Sequence, residues 1–140
     1  MIEEVILFQL DQVSKQAKLY SQREFDRLGL DITVEQWILL KIIEESDGLS
    51  QKELADKSLR DPASITRTLD LLEKKELIER RPIEGNRRQY DIVLSDEGRG
   101  FVLSHLPIIQ EYRSQSIKGL SKQDLETLKS VLQRIKENMT

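Results

Sequence analysis

Two helix-start signals lie only eleven residues apart in this 140-residue chain. Ser50 and Glu53 form a Ser-x-x-Glu capping box, in which each side chain satisfies a backbone N–H that the first helical turn leaves unpaired. Asp61-Pro62 supplies an N-cap carboxylate and then proline at the first helical position, where a missing N–H costs nothing and the fixed φ already suits a helix. Between the two signals fits one helix of about two turns, from Gln51 to about Ser58, and a turn of about three residues. That spacing predicts a helix-turn-helix.

Reading the second helix at about 100° per residue sorts its faces. Ile65, Leu69 and Leu72 share one side with Thr68 beside them, so this side packs inward. Ala63, Arg67, Asp70 and Lys74 lie opposite, with Ser64 and Thr66 on the flanks near the N-terminus. A front of small residues, hydroxyls and one arginine can approach base edges in a major groove closely. Asp70 faces outward further down, where the groove should already be leaving the helix.

A hairpin follows. Ile78 to Ile83 and Arg88 to Leu94 have strand character, with Tyr90, Ile92 and Leu94 alternating on one face. Glu84-Gly85-Asn86-Arg87 between them is turn chemistry. Arg80, Arg81, Arg87 and Arg88 flank that turn. An arm with guanidinium groups near its tip suits a narrow minor groove, where the potential is most negative, although a solvated basic hairpin would read the same way.

The remainder is helical. From Glu3 to about Leu28, Ile6, Leu10, Val13, Ala17 and Tyr20 follow a 4-3-4-3 spacing, and Gly29 ends that helix. Thr33 and Gln36 form a second capping box, opening a helix to about Glu45 with Trp37, Ile38, Leu40, Ile42 and Ile43, which is apolar on more than one side and hence central. Asp47-Gly48 closes it. After the hairpin, Ser95-Asp96-Glu97 starts a helix carrying Phe101, Val102, Leu106, Ile109 and Tyr112 toward Lys118, with a kink expected near Leu103 because Pro107 removes an N–H. Ser121 and Asp124 start the last helix, whose Leu125, Leu128, Leu132, Ile135 and Met139 form a stripe. Stripes at both ends of the chain exceed what a small central domain can cover, so a homodimer is favoured over an intramolecular bundle.

Composition narrows the function. The chain has no cysteine and a single histidine, His105, so disulfides, thiolate metal sites and a histidine cluster are excluded, and neither metal nor cofactor is expected. No nucleophile partner for His105, phosphate-binding glycine loop or catalytic carboxylate arrangement stands out, so no enzyme is expected. The start Met1-Ile2-Glu3-Glu4 lacks a basic leader region and no apolar run approaches a membrane span, which gives a cytoplasmic expectation without a membrane partner. Net charge is −3. Its distribution matters more: from Arg60 to Arg88 eight Lys/Arg face six Asp/Glu, a local +2 against −5 elsewhere. Phosphate contacts act over a Debye length of about 8 Å, so a locally basic surface can bind DNA on an acidic molecule.

Ser64-Ile65-Thr66-Arg67, Leu71-Leu72-Glu73, Leu77-Ile78-Glu79-Arg80 and above all Asn86-Arg87-Arg88 followed by Leu94-Ser95-x-x-Gly98 carry a resemblance. Over nearly the whole chain the sequence resembles the MarR family of dimeric winged-helix DNA-binding regulators, whose members usually show Asp-x-Arg at the wing and then Leu-Thr-x-x-Gly. Three positions depart. Asn86 stands where the family aspartate would be and gives up an ion pair. Ser95 replaces threonine and still caps a helix. Glu76 replaces the glycine that commonly follows the recognition helix, so it must adopt a left-handed conformation at some strain or the helix must end differently.

The resemblance implies that Arg88 matches the wing arginine of the minor groove, while Ser64, Thr66 and Arg67 match the major-groove reading positions. It also implies a small, often aromatic effector bound between the dimerisation and DNA-binding parts; Tyr20, Trp37 and His105 could line such a site or simply pack the core. The expected architecture is mainly α with a small β-hairpin wing: a winged helix-turn-helix over residues 31–99, with residues 1–30 and 100–140 as the helical dimerisation region. The DNA-binding set comprises Ser50, Gln51 and Arg60 before the recognition helix, and Pro62, Ala63, Ser64, Thr66, Arg67 and Lys74 on it. Arg87 and Arg88 complete the set on the wing. The expected function is a sequence-specific regulator whose expected partners are double-stranded DNA and a second copy, with repression at a pseudo-palindromic operator; the alternative is a winged-helix module that docks a protein.

Overall fold

The computed structural model describes residues 1–46 and 48–140; Asp47, expected to help close the second helix, and the Arg87 side chain lie outside the described residues. The chain forms two compact units, Met1–Pro107 and Ile108–Thr140, so the division falls inside a helix at its proline.

In the first unit a single 3-10 turn at Ile2–Glu4 precedes α1, Ile6–Arg27. The helix starts later than Glu3 because Val5 is extended, at φ −75° and ψ 120°. Its end is a Schellman motif: Gly29 takes φ +67°, its N–H donates to the Asp26 carbonyl, and the Leu30 N–H donates to that of Phe25. Helix α2, Val34–Glu44, opens on the Thr33/Gln36 capping box, each partner donating to the other's side chain at 3.2 Å. Trp37, Leu39, Leu40 and Ile43 are all but fully buried, whereas Ile38 is half exposed, so the central helix buries its apolar positions selectively.

Helices α3, Gln51–Ser58, and α4, Pro62–Lys74, form as the two start signals predict. Leu59 turns between them in the left-handed region at φ 54°, which lets the Arg60 N–H reach the Ala55 carbonyl and redirects the chain within three residues. Ile65, Leu69 and Leu72 are fully buried, as are Trp37, Leu54 and Ile92, and each such side chain contributes about 1.5–3 kcal/mol of burial. Lys75, the C-cap of α4, reaches the Asp31 carbonyl at 2.7 Å and the Gln36 side chain at 3.4 Å, which ties this end of the helix to the start of α2. Glu76 then adopts φ +63° in a second Schellman motif, with the Leu77 N–H donating to the Leu72 carbonyl and its own N–H to Glu73.

Strands β1, Ile78–Ile83, and β2, Asn86–Leu94, pair antiparallel, and Leu49 exchanges two backbone hydrogen bonds with Ile92 on the other edge of β2. The turn is shorter than the four residues expected from sequence. Ile83 pairs with Asn86 around Glu84-Gly85, and Gly85 takes φ +82°. Pro82 pairs with Tyr90, so residues 87–89 form a bulge instead of turn.

Helix α5, Asp96–Ser116, follows; it is continuous through Pro107 and stops two residues short of the expected Lys118. Its start is welded to the end of α4. The Ser95 hydroxyl donates to the Glu76 carbonyl at 2.6 Å and accepts from the Gly98 N–H at 2.9 Å. A Cβ on Gly98 would stand 2.0 Å from the Leu77 carbonyl oxygen, so only glycine permits this approach. The second unit comprises the end of α5 and helix α6, Lys122–Asn138, which opens on the Ser121/Asp124 capping box. Along α6, Leu128, Val131 and Leu132 are exposed, and on α1 so are Ile6, Val13 and Leu19. No helix among the described residues is long and apolar enough to cross a membrane.

Candidate nucleic-acid interface

The N-terminal half of α4 is held at three points. Asp61 caps it, its carboxylate accepting the Ser64 N–H at 2.8 Å. The Arg60 guanidinium donates to the Ser64 hydroxyl, and the Gln51 side-chain amide donates to the Thr66 hydroxyl, which in turn donates to the Pro62 carbonyl at 3.0 Å. Gln51, Arg60, Ser64 and Thr66, all expected to read or grip DNA, therefore form two hydrogen-bonded side-chain pairs at the start of α4. Because Thr66 spends its proton on Pro62 and receives one from Gln51, it presents chiefly its methyl group, the part that can touch a thymine methyl. Ser64 receives from Arg60 and keeps its own O–H free to donate.

Around these pairs stand the exposed residues. Pro62, Ala63, Arg67 and Lys74 are all exposed on α4, as is Arg88 on the wing, and Ser50 and Gln51 are half-buried at the start of α3. Among the described residues the side chains of Arg67, Lys74 and Arg88 form no ion pair. Cations without an internal partner are free to neutralise phosphate. The Asn86 side-chain oxygen accepts the Arg88 backbone N–H at 3.0 Å, so this side chain holds the backbone of the bulge.

The wing is less basic at its tip than four flanking arginines imply. Arg80 reaches back to α4, 2.9 Å from Asp70 and 3.3 Å from Glu73, and Arg81 lies 3.6 Å from Glu79. The Arg80 guanidinium is committed within the protein, that of Arg81 keeps only a loose, exposed pair, and the Arg87 side chain lies outside the described residues. A cavity of about 350 Å³ separates the wing from α3, lined by Ser50, Gln51, Arg80, Arg88 and Tyr90 among others. The partners of Arg80 were not foreseen; the outward-facing acid Asp70 on a surface otherwise suited to phosphate was the available signal.

The residues nominated for an effector site are placed as follows. Trp37 is fully buried, and its indole N–H has no hydrogen-bond partner among the described residues. His105 stacks on Phe101 with ring centroids 3.8 Å apart, and its Nδ1 lies 2.8 Å from the Phe101 carbonyl. Tyr20 is half-buried. Among the described residues no group of three or more His, Cys, Asp or Glu is placed to hold a metal ion.

A capped two-helix turn, a hairpin bridged on its outer edge and a basic helix front define a winged helix-turn-helix protein. The family model for MarR matches residues 32–90, from the start of α2 to the wing. A protein of unknown function from Listeria innocua Clip11262 is 31% identical over 95% of this chain and 91% of its own, with a TM-score of 0.70. MepR of S. aureus, solved as a DNA complex, is 24% identical over 97% of this chain and 99% of its own at a TM-score of 0.83. A mutant MarR from E. coli complexed with operator DNA is 23% identical, covering 91% of this chain and 90% of that one at a TM-score of 0.79. The chain belongs to the MarR family.

Proposed function

We infer that this protein regulates transcription by binding double-stranded DNA as a homodimer, acting as a repressor at a pseudo-palindromic operator. The observation that carries this reading is the front of α4: small residues and two hydroxyls held by Gln51 and Arg60, with Arg67, Lys74 and the wing's Arg88 exposed and without an ion partner among the described residues. The N-terminal half of the helix enters the major groove, where Arg67 can bond a guanine edge through both arms of its guanidinium. Arg88 reaches the adjacent minor groove from the bulged wing. The DNA complexes of MepR and of the mutant MarR support the same use of the fold.

Dimerisation supplies the second half-site. The uncovered apolar stripes on α1 and α6 are the surfaces a second copy would bury, and two recognition helices then read half-sites about 34–36 Å apart. Selection of bound fragments from random DNA at defined salt tests the reading. Enrichment of an inverted repeat with half-site centres about one helical turn apart, or a multiple of it, is the expected result. Failure of every pool, alongside recovery of a stable protein partner, would assign the surface to protein docking instead.

A further inference from the structure

Asp70 and Glu73 stand on α4 beside the surface that carries Arg67 and Lys74. Two carboxylates there would oppose a phosphate backbone at a separation where charges still interact strongly. The structure answers this with Arg80, whose guanidinium lies 2.9 Å from Asp70 through one nitrogen and 3.3 Å from Glu73 through the other. Its side chain is only 24% exposed, while those of Asp70 and Glu73 are 61% and 46% exposed, so the arginine is the screened member of the trio. Arg80 sits on β1 opposite Ile92 of β2, and Ile92 is in turn bridged to Leu49 just ahead of α3. One side chain thus joins the base of the wing to the exposed side of the recognition helix.

We propose that Arg80 is a positioning residue for DNA binding: it sets the wing's angle to α4 and neutralises Asp70 and Glu73, without contacting DNA itself. This rests on the DNA-binding reading above. An arm carrying Arg88 is useful only if its tip meets the minor groove while α4 occupies the major groove, and a planar fork on two acceptors restricts that angle more than a single contact could. A lysine there would offer one point charge and would not span both acids in a fixed geometry.

The test combines a measurement on the free protein with one on DNA. Amide hydrogen exchange of residues 79–90 is compared in the unmodified protein, in Arg80→Gln and in Asp70→Asn/Glu73→Gln, which removes both negative charges from exposed positions and leaves the core intact. Exchange in the wing should rise about tenfold in both variants, the size expected for a coupled pair. Unchanged exchange in Arg80→Gln overturns the proposal. Anisotropy on the selected operator should then show Arg80→Gln binding about tenfold more weakly, with the slope of log affinity against log salt unchanged and the loss reduced to about twofold or less in the Asp70→Asn/Glu73→Gln background. A slope lowered by about 0.9, with the same loss in both backgrounds, would make Arg80 a phosphate contact and overturn the positioning role. If the unmodified protein binds no DNA, the functional reading falls, and the affinity part of this proposal with it; the exchange measurement still decides the mechanical link.

Discussion

Glu76 is a non-glycine residue held at φ +63° where α4 meets β1, and its conformation is enforced by the two Schellman hydrogen bonds and by the Ser95 hydroxyl on its carbonyl. An L-residue in that region carries about 1–2 kcal/mol of strain, of which glycine's greater freedom when unfolded takes back a part. Glu76→Gly should therefore stabilise the protein by about 0.5–1 kcal/mol in urea unfolding followed by circular dichroism; a destabilised variant would show that the Glu76 side chain contributes something its exposed position does not reveal. Gly98 is the opposite case. Its missing Cβ leaves room for the Leu77 carbonyl, so Gly98→Ala forces the start of α5 away from the end of α4. A loss of about 1–3 kcal/mol is expected by the same measurement, and a neutral result would mean that the junction can open without cost.

The elements differ in how far sequence reveals them. Helix starts at Thr33, Ser50, Asp61 and Ser121 were legible because each cap serves an N–H within three residues, and a pattern that local survives any tertiary arrangement. The buried stripe Ile65, Leu69, Leu72 was legible for the same reason. The hairpin was only half legible. Its strands showed their alternation, but the bulge at residues 87–89 depends on the Asn86 side chain folding back onto the Arg88 N–H and on the pairing register, which local pattern leaves open. The Leu49–Ile92 bridge and the Arg80 fork join residues distant in sequence, and no spacing rule announces them. The bulge yields its own prediction: Asn86→Ala should leave global stability within about 0.5 kcal/mol, because the position is exposed, yet weaken operator binding several-fold by freeing Arg88. Equal affinity of the two proteins by anisotropy would show that the bulge does not aim the arginine.

At the scale of the whole molecule, the exposed apolar residues on α1 and on α6 are the ones the proposed homodimer would bury. Sedimentation equilibrium should find the protein at twice its chain mass, and Leu128→Glu with Leu132→Glu should shift it toward the monomer and cost at least about tenfold in operator affinity, since the second half-site no longer binds at high effective concentration. A stable monomer with full affinity would contradict the dimer. The net charge of −3 is compatible with that proposal: a local basic front would engage phosphate while the acidic remainder would limit non-specific binding. The claim on which the account turns is that the face bearing Arg67 and Arg88 reads DNA. The most direct measurement is anisotropy of Arg67→Ala and Arg88→Ala on the selected operator and on single-base variants of it, across a salt series. Arg67→Ala should lose about 1–3 kcal/mol of discrimination at one base position, and Arg88→Ala should weaken binding across all sequences and lower the salt slope by about 0.9. Unchanged affinity, selectivity and slope in both variants would contradict it.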